Sequence, residues 1–242
     1  MKDTVKKHMT YKLGTNQQLE GLWLKFHTHE KGIWVMPIEV ISQLVHIINN
    51  CRPTQILELG TGIGATTACL AANIGNGRIT TVEQNQQLIE LAKELIPHDL
   101  KQKINFEYAP AVPIRPVNTI SPFQMWSCYD QIPWSKWDFI IIDGPGPFLA
   151  EVGGENHLAE LPNGDLIWLL PKIVPGTKIF VQGRKDACKL YKRFLGWYLD
   201  VLIENEDYCL FERTKEQLNE DLSNFSNSDI SRSKLMDQGY FK

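Results

Sequence analysis

Gly60, Gly62 and Gly64 stand at alternate positions in "ILELGTGIGATTACLAA", between a short apolar run and a run of small residues. Glycine admits positive φ and lets another group come close to the main chain. Where a strand turns into a helix, such a stretch also offers free helix N–H groups to a ligand. Acids stand nearby in the pattern. Glu58 lies in the apolar run itself. Glu83 ends the next β-type run, "RITTVE", about twenty residues on, where a carboxylate can accept from both hydroxyls of a ribose. Asp143 closes "DFIIID" ahead of "GPGPF", and His157 lies in the glycine-rich "GPFLAEVGGENHLAELPNGD" with Glu151, Glu155 and Glu160. A carboxylate or an imidazole at a ligand edge can take a proton from a hydroxyl. Each has a plainer reading beside it: a tight turn for the glycines, a solvated strand end for Glu83, a turn cap for Asp143 and an exposed loop histidine for His157.

Weaker candidates surround these. "HTHE" (His27 to Glu30) has two histidines and a carboxylate, but no matching ligand set occurs elsewhere, so a loop is the better reading. Arg184 and Lys185 could grip an anionic group, or form a solvated helix face with Lys189, Lys192 and Arg193. Phe123, Trp126, Tyr129, Trp134 and Trp137 crowd the stretch 112–137, which could line an apolar pocket or pack on the sheet or on a partner subunit. Trp34 could wall the site from an N-terminal lid.

The elements that must hold these residues alternate. Pro37 suits a first helical position, and Ile41, Leu44, Val45 and Ile48 then fall on one helix face. "QILEL", "RITTVE", "INFEY", "DFIIID" and "KIFVQ" read as strands, with "ATTACLAANI", "QQLIELAKELI", "DLIWLLPKI" and "DACKLYKRFL" as helices between or after them. Asp165 is the expected cap of the third of these helices. Leu88, Leu91, Ala92 and Leu95 face inward from the second, and Ala187, Leu190, Tyr191 and Phe194 from the fourth. "WYLDVLI" and "YCLFE", joined by "ENED", read as a hairpin. The expected fold is α/β: a Rossmann-like, doubly wound, mostly parallel seven-stranded sheet with a terminal antiparallel hairpin. The expected divisions are an N-terminal extension or lid (1–35), a main domain (36–212) and a polar tail (213–242).

Bulk properties exclude several classes. A net charge of −3 over 242 residues gives no basic footprint for nucleic acid. No run reaches the length of a membrane span. The five cysteines form no CxxC pair, which fits reduced thiols, and "MKDTVKKHMTYKLG" lacks the apolar core of a secretory signal. A cytoplasmic location is expected.

"ELGTGIG", the acid ending "TVE" and "FIIIDGPG" together resemble the class I S-adenosylmethionine-dependent methyltransferases, most closely the small-molecule O-methyltransferases with an "LELGTGxG" turn. The likeness spans roughly residues 32–212. It implies S-adenosyl-L-methionine as cofactor, with Glu58 orienting the loop and the methionine portion. Gly60, Thr61 and Gly62 would lie under the cofactor, Glu83 on the ribose, and Gln84 beside the adenine. Ala111 belongs to the loop "APA" after the third strand, where many relatives carry an acid. Asp143 falls at the cofactor edge as well as being the first base candidate, with His157 the second. In the metal-dependent branch an aspartate at Asp143 binds magnesium with an Asp-Asn pair ending the fifth strand. Here Gln182 and Gly183 stand there, so no metal is expected. The absence of an "NPPY"-like motif favours an oxygen acceptor. The expected partner is a small-molecule acceptor, with neither nucleic acid nor membrane, and a homodimer is possible.

Three other readings stay open. An aminopropyl transferase shares the fold and uses decarboxylated S-adenosylmethionine, though "APA" lacks the acid it needs. A non-catalytic protein could retain the pocket. A nicotinamide oxidoreductase is disfavoured by GxGxG in place of GxGxxG.

Overall fold

A computed structural model describes residues 17–217 except 115–125, 147, 153–154 and 160; for 114, 148–152 and 155–159 it describes the backbone. Helix α1 (Gln17–His27) and a short 3-10 turn lead to α2 (Ile38–Cys51). Pro37 is the cap of α2 rather than its first residue. Its fixed φ suits either place, and its missing N–H costs nothing there. Ile41, Leu44, Val45 and Ile48 are all buried, as their spacing requires. Arg52 ends the helix in the left-handed region (φ 50°), just before Pro53.

The chain then alternates: β1 (Gln55–Leu59), α3 (Ala65–Asn73), β2 (Arg78–Glu83), α4 (Gln86–Leu95), α5 (His98–Lys101) and β3 (Ile104–Tyr108). Asn85 caps α4, its side chain accepting from Gln87 N at 2.9 Å. The inward face of α4 centres on Ile89 and Ala92, with Leu88, Leu91 and Leu95 only partly buried. Strands β4 (Ala111–Ile114) and β5 (Trp126–Tyr129) pair antiparallel in a small sheet of their own. After β6 (Phe139–Ile142) comes a second such pair, β7 (Phe148–Val152) with β8 (Glu155–Ala159). The stretch holding His157 is therefore a hairpin, not a loop. Helix α6 (Asp165–Leu169), β9 (Lys178–Gln182), α7 (Lys185–Leu195), β10 (Leu199–Glu204) and β11 (Tyr208–Arg213) complete the fold.

The main sheet has seven strands in the order β10-β11-β9-β6-β1-β2-β3. Only β11 runs against the others, slotted between β9 and β10 as a returning hairpin. The expected architecture is present in full. Alternation along the central strands shows that both faces are covered. Leu57, Leu59, Ile140, Ile142, Ile179 and Val181 enter one core with α6 and α7. Ile56, Phe139, Ile141 and Phe180 enter the other with α2 and α3. No residue of β6 is exposed, and each such side chain contributes roughly 1.5–3 kcal/mol on burial. Of the aromatics in 112–137, Trp126, Tyr129 and Trp137 join the first core, while Trp134 is exposed and Phe123 lies outside the described residues. The helix α1 is also part of the fold: Leu19 and Phe26 are buried against the cores below. Trp34 is exposed.

One local expectation is corrected. Asp165 does not cap α6; Gly164 does, without a side-chain bond. Asp165 is instead the first helical residue, and its buried carboxylate accepts from Tyr129 N (3.1 Å) and Asn163 Nδ2 (2.8 Å). Its oxygens are drawn away from the helix N–H groups by these stronger partners.

Candidate functional site

The strand order reverses between β1 and β6, and in open α/β sheets this opens a crevice beyond the carboxyl ends of the strands. Glu58, Glu83 and Asp143 meet there. The turn after β1 begins with Gly60, whose N–H donates to Val82 O at 2.9 Å. Asp143 N and Gly144 N both donate to Leu59 O, at 2.9 and 2.6 Å. The ends of β1, β2 and β6 are thereby tied into one rim.

The three glycines of the turn differ in what they are for. A Cβ on Gly60 would stand 2.6 Å from Gly144 N, and one on Gly64 would stand 2.9 Å from the Ile96 side chain. Those two are bare because the protein's own chain and α4 press on them. Gly62 (φ 54°) is different: a Cβ there meets nothing within 4 Å. Its bareness faces open space at the crevice.

Glu83 is buried and lies across from Gly62. Its Oε2 accepts from Gly62 N at 2.9 Å, and Oε1 accepts from Gln84 N and Asn85 N at 2.9 and 3.0 Å. Burial raises its pKa, against the pull of these N–H groups. Glu58 is 1% exposed. Thr67 Oγ1 donates to its Oε2 at 2.5 Å, while Oε1 has no hydrogen-bond partner among the described residues. Desolvation pushes its pKa up to about 8, opposed by Thr67 and Thr81 and aided by Asp143 and Glu83. Asp143 is half-buried, and desolvation lifts it to about 7, with Arg184 opposing and Glu83 adding to the rise. Three carboxylates with raised pKa values stand together in the fold, Glu83 lifting both of the others and Asp143 lifting Glu58, and such clusters of perturbed groups mark functional sites.

Thr61 is buried, its hydroxyl 2.6 Å from that of Thr81, which locks the turn onto β2. Gln84 is half-buried, with its side-chain nitrogen near Gly146 on the loop after β6. Ala109 N donates to Glu83 O at 3.0 Å, so the "APA" turn leaves β3 beside Glu83, and Ala111 opens β4. His157 pairs with Ala150 in the β7–β8 hairpin; its side chain lies outside the described atoms. Glu160 lies outside the described residues. The "HTHE" histidines have ordinary partners: His27 stacks on Trp23 at 4.2 Å, and His29 Nδ1 accepts from Lys31 N. Among the described residues no group of three or more His, Cys, Asp or Glu could hold a metal ion.

Sequence reasoning missed what holds the rim in place. Asn163, fully buried, donates to Gly144 O at 2.7 Å and to Asp165 at 2.8 Å. Tyr191 on α7 donates to Asn163 Oδ1 at 2.6 Å. This polar network fixes the loop that carries Asp143. Its only sequence signal was "NGD", which reads equally well as a turn and a cap. Of the two readings of Arg184, the solvated helix face is the poorer: the residue is half-buried and its Nη2 donates to the Asp143 carbonyl, a contact the sequence did not signal.

A parallel sheet in this order, a reversed β11 and a glycine turn at the strand-order reversal define the class I methyltransferase fold. Solved structures bear this out. A Podospora anserina methyltransferase bound to SAH matches with a TM-score of 0.55 at 13% identity, over 84% of this chain and 90% of that one. A Bacillus cereus O-methyltransferase in complex with SAH matches with a TM-score of 0.51 at 14% identity, over 84% and 93%. The O-methyltransferase TomG of Streptomyces achromogenes, involved in tomaymycin synthesis and solved with SAM, matches with a TM-score of 0.51 at 14% identity, over 84% and 92%. At such identities the likeness is one of fold.

More particularly, residues 30–132 match the protein-L-isoaspartate(D-aspartate) O-methyltransferase family. The matched stretch carries the glycine turn, Glu58 and Glu83, and stops short of Asp143 and Arg184. No curated protein matches the sequence. Among the described residues no helix is long and apolar enough to cross a membrane.

Proposed function

We propose that this protein is an S-adenosylmethionine-dependent methyltransferase acting on a hydroxyl oxygen of a small molecule. The observation that carries the reading is the pairing of Gly62 and Glu83. One offers bare backbone with nothing in reach of a Cβ, and the other holds a buried carboxylate against that backbone's N–H. The residues present fit the cofactor. Glu83 would take the ribose hydroxyls, and Glu58, with an unmet buried oxygen, would serve the methionine portion through the loop. Gly60, Thr61 and Gly62 form the floor, with Gln84 and Ala111 toward the adenine. When bound, S-adenosylmethionine supplies an activated sulfonium methyl group.

What the chain must add is alignment and a place for the acceptor's proton. Asp143 sits at the rim with a pKa near neutrality, suited to receiving that proton on a carboxylate oxygen. His157 is a second candidate base, on the hairpin that follows the same loop. The donor set favours chemistry without a magnesium triad: Gln182 and Gly183 bring no carboxylate beside Asp143, and a hard cation needs several oxygens. The isoaspartate acceptor of the matched family is not carried over, because the match ends before the acceptor side. A cytoplasmic protein, a homodimer, no nucleic-acid or membrane partner, and a main domain of 36–212 with an N-terminal lid belong to the same reading.

The test is methyl transfer from labelled S-adenosylmethionine to a panel of hydroxylated small molecules, with Asp143→Asn as control. Asp143→Asn is expected to lower kcat by roughly 10²–10⁴-fold. Unchanged turnover in the variant removes Asp143 as the base and leaves His157.

A further inference from the structure

Arg184 stands at a place where a cation is unusual unless it has work to do. It follows β9 and caps α7, so it lies on the Asp143 side of the crevice, beyond Glu58 and Glu83. A guanidinium has five N–H donors. Among the described residues this one uses a single donor, to the Asp143 carbonyl. Its Nε is buried without a partner, and no carboxylate lies within ion-pair distance of it among the described residues. Asp143 is close enough for Arg184 to lower its pKa, but a half-buried guanidinium with no carboxylate in direct contact among the described residues still carries a desolvation cost that an incoming anion would relieve.

Arg184 also lines a cavity of about 220 Å³ between the start of α7 and the turn that joins β10 to β11. The charges around it select the kind of anion. Lys189 and Lys192 are engaged with Asp186 and Glu204. Arg184 and Lys185 are thus set against Glu206 and Asp207 on the facing turn. Those two acids would repel a dianion, while a single negative charge can be matched by the guanidinium fork. The planar fork suits a carboxylate in two-point contact.

We propose that Arg184 is the acceptor-anchoring residue, and that the acceptor is a small hydroxylated molecule bearing one carboxylate. This rests on the methyltransferase reading. Arg184 would hold the carboxylate at the edge of the cavity, and the same side chain braces the loop of Asp143 through its carbonyl, so the guanidinium links the anion's place to the loop that carries the candidate base.

Calorimetric titration of the full chain with 4-hydroxybenzoate and its neutral counterpart 4-hydroxybenzamide tests this, with and without saturating S-adenosylhomocysteine. The expected result is at least tenfold tighter binding of the carboxylate. Arg184→Met should erase that preference, Arg184→Lys should restore part of it, and S-adenosylhomocysteine affinity should stay within about twofold in both. Equal affinity for the two probes in the wild type, or no binding of the carboxylate, overturns the proposal whether or not Arg184→Met folds. A preference that survives Arg184→Met overturns it too. A loss of S-adenosylhomocysteine affinity in Arg184→Met overturns it by moving Arg184 to the cofactor. If wild-type protein fails to bind S-adenosylhomocysteine at all, the cofactor reading fails instead. The titration without it then still decides the carboxylate preference.

Discussion

Glu58 and Asp143 hold protons in the folded protein that their free counterparts have lost. Their pKa values rise from 4.5 to about 8 and from 3.8 to about 7, chiefly by desolvation. Between those limits the folded state binds more protons than the unfolded state, so stability falls as pH rises through the window. Their contribution is fully present below about pH 4 and gone above about pH 8. Glu58→Gln abolishes one such proton site. Its melting temperature, measured without ligand, should gain on the wild type from pH 5 to pH 8; a gap independent of pH would contradict the assignment. Gly62→Val places a branched side chain in the left-handed region and in the open space of the crevice. It should cost about 1–2 kcal/mol of stability and abolish S-adenosylhomocysteine binding. Native-like affinity in that variant would exclude Gly62 from the floor of the site. At this scale the strand-end acids were legible, because a carboxylate that ends a buried run must project at the ligand edge. Arg184 was legible only as one of two readings, since Lys185, Lys189, Lys192 and Arg193 also gave it the look of a solvated face.

Elements explain why two of the turn's glycines have a different purpose from the third. The close approach of the β1 and β6 ends needs Gly60 bare, as its missing Cβ would lie 2.6 Å from Gly144 N. Gly60→Ala should therefore destabilise by about 2–4 kcal/mol in chemical denaturation, against about 1 kcal/mol for Gly62→Ala. Equal costs would mean the rim can open freely. Tyr191→Phe leaves the Asn163 amide short of a partner and should cost about 1–2 kcal/mol. The seven main strands were legible because they are apolar runs bounded by glycine, proline or polar turns. The pairs β4–β5 and β7–β8 were not. Pro113 interrupts the first, where it pairs with Ser127, and the second is rich in glycine and acids. Such strands are stabilised by their partner rather than by their own propensity. Asp165 misled for a related reason: a local cap and a long-range bond use the same oxygen, and only the fold reveals Tyr129 N beside it.

At the scale of the whole molecule, the central strands of the sheet are covered on both faces, and the glycine turn, three acids and Arg184 converge at their carboxyl ends. The fold alone does not fix activity, so the central claim is about what the crevice binds. The most direct measurement is calorimetric titration of the full chain with S-adenosylmethionine, S-adenosylhomocysteine, decarboxylated S-adenosylmethionine and NAD. The account predicts micromolar binding of the first two and at least tenfold weaker binding of the others, with Glu83→Gln losing about tenfold or more. Preference for the decarboxylated form would assign the protein to aminopropyl transfer. Preference for NAD, or binding of none of the four, would contradict the account.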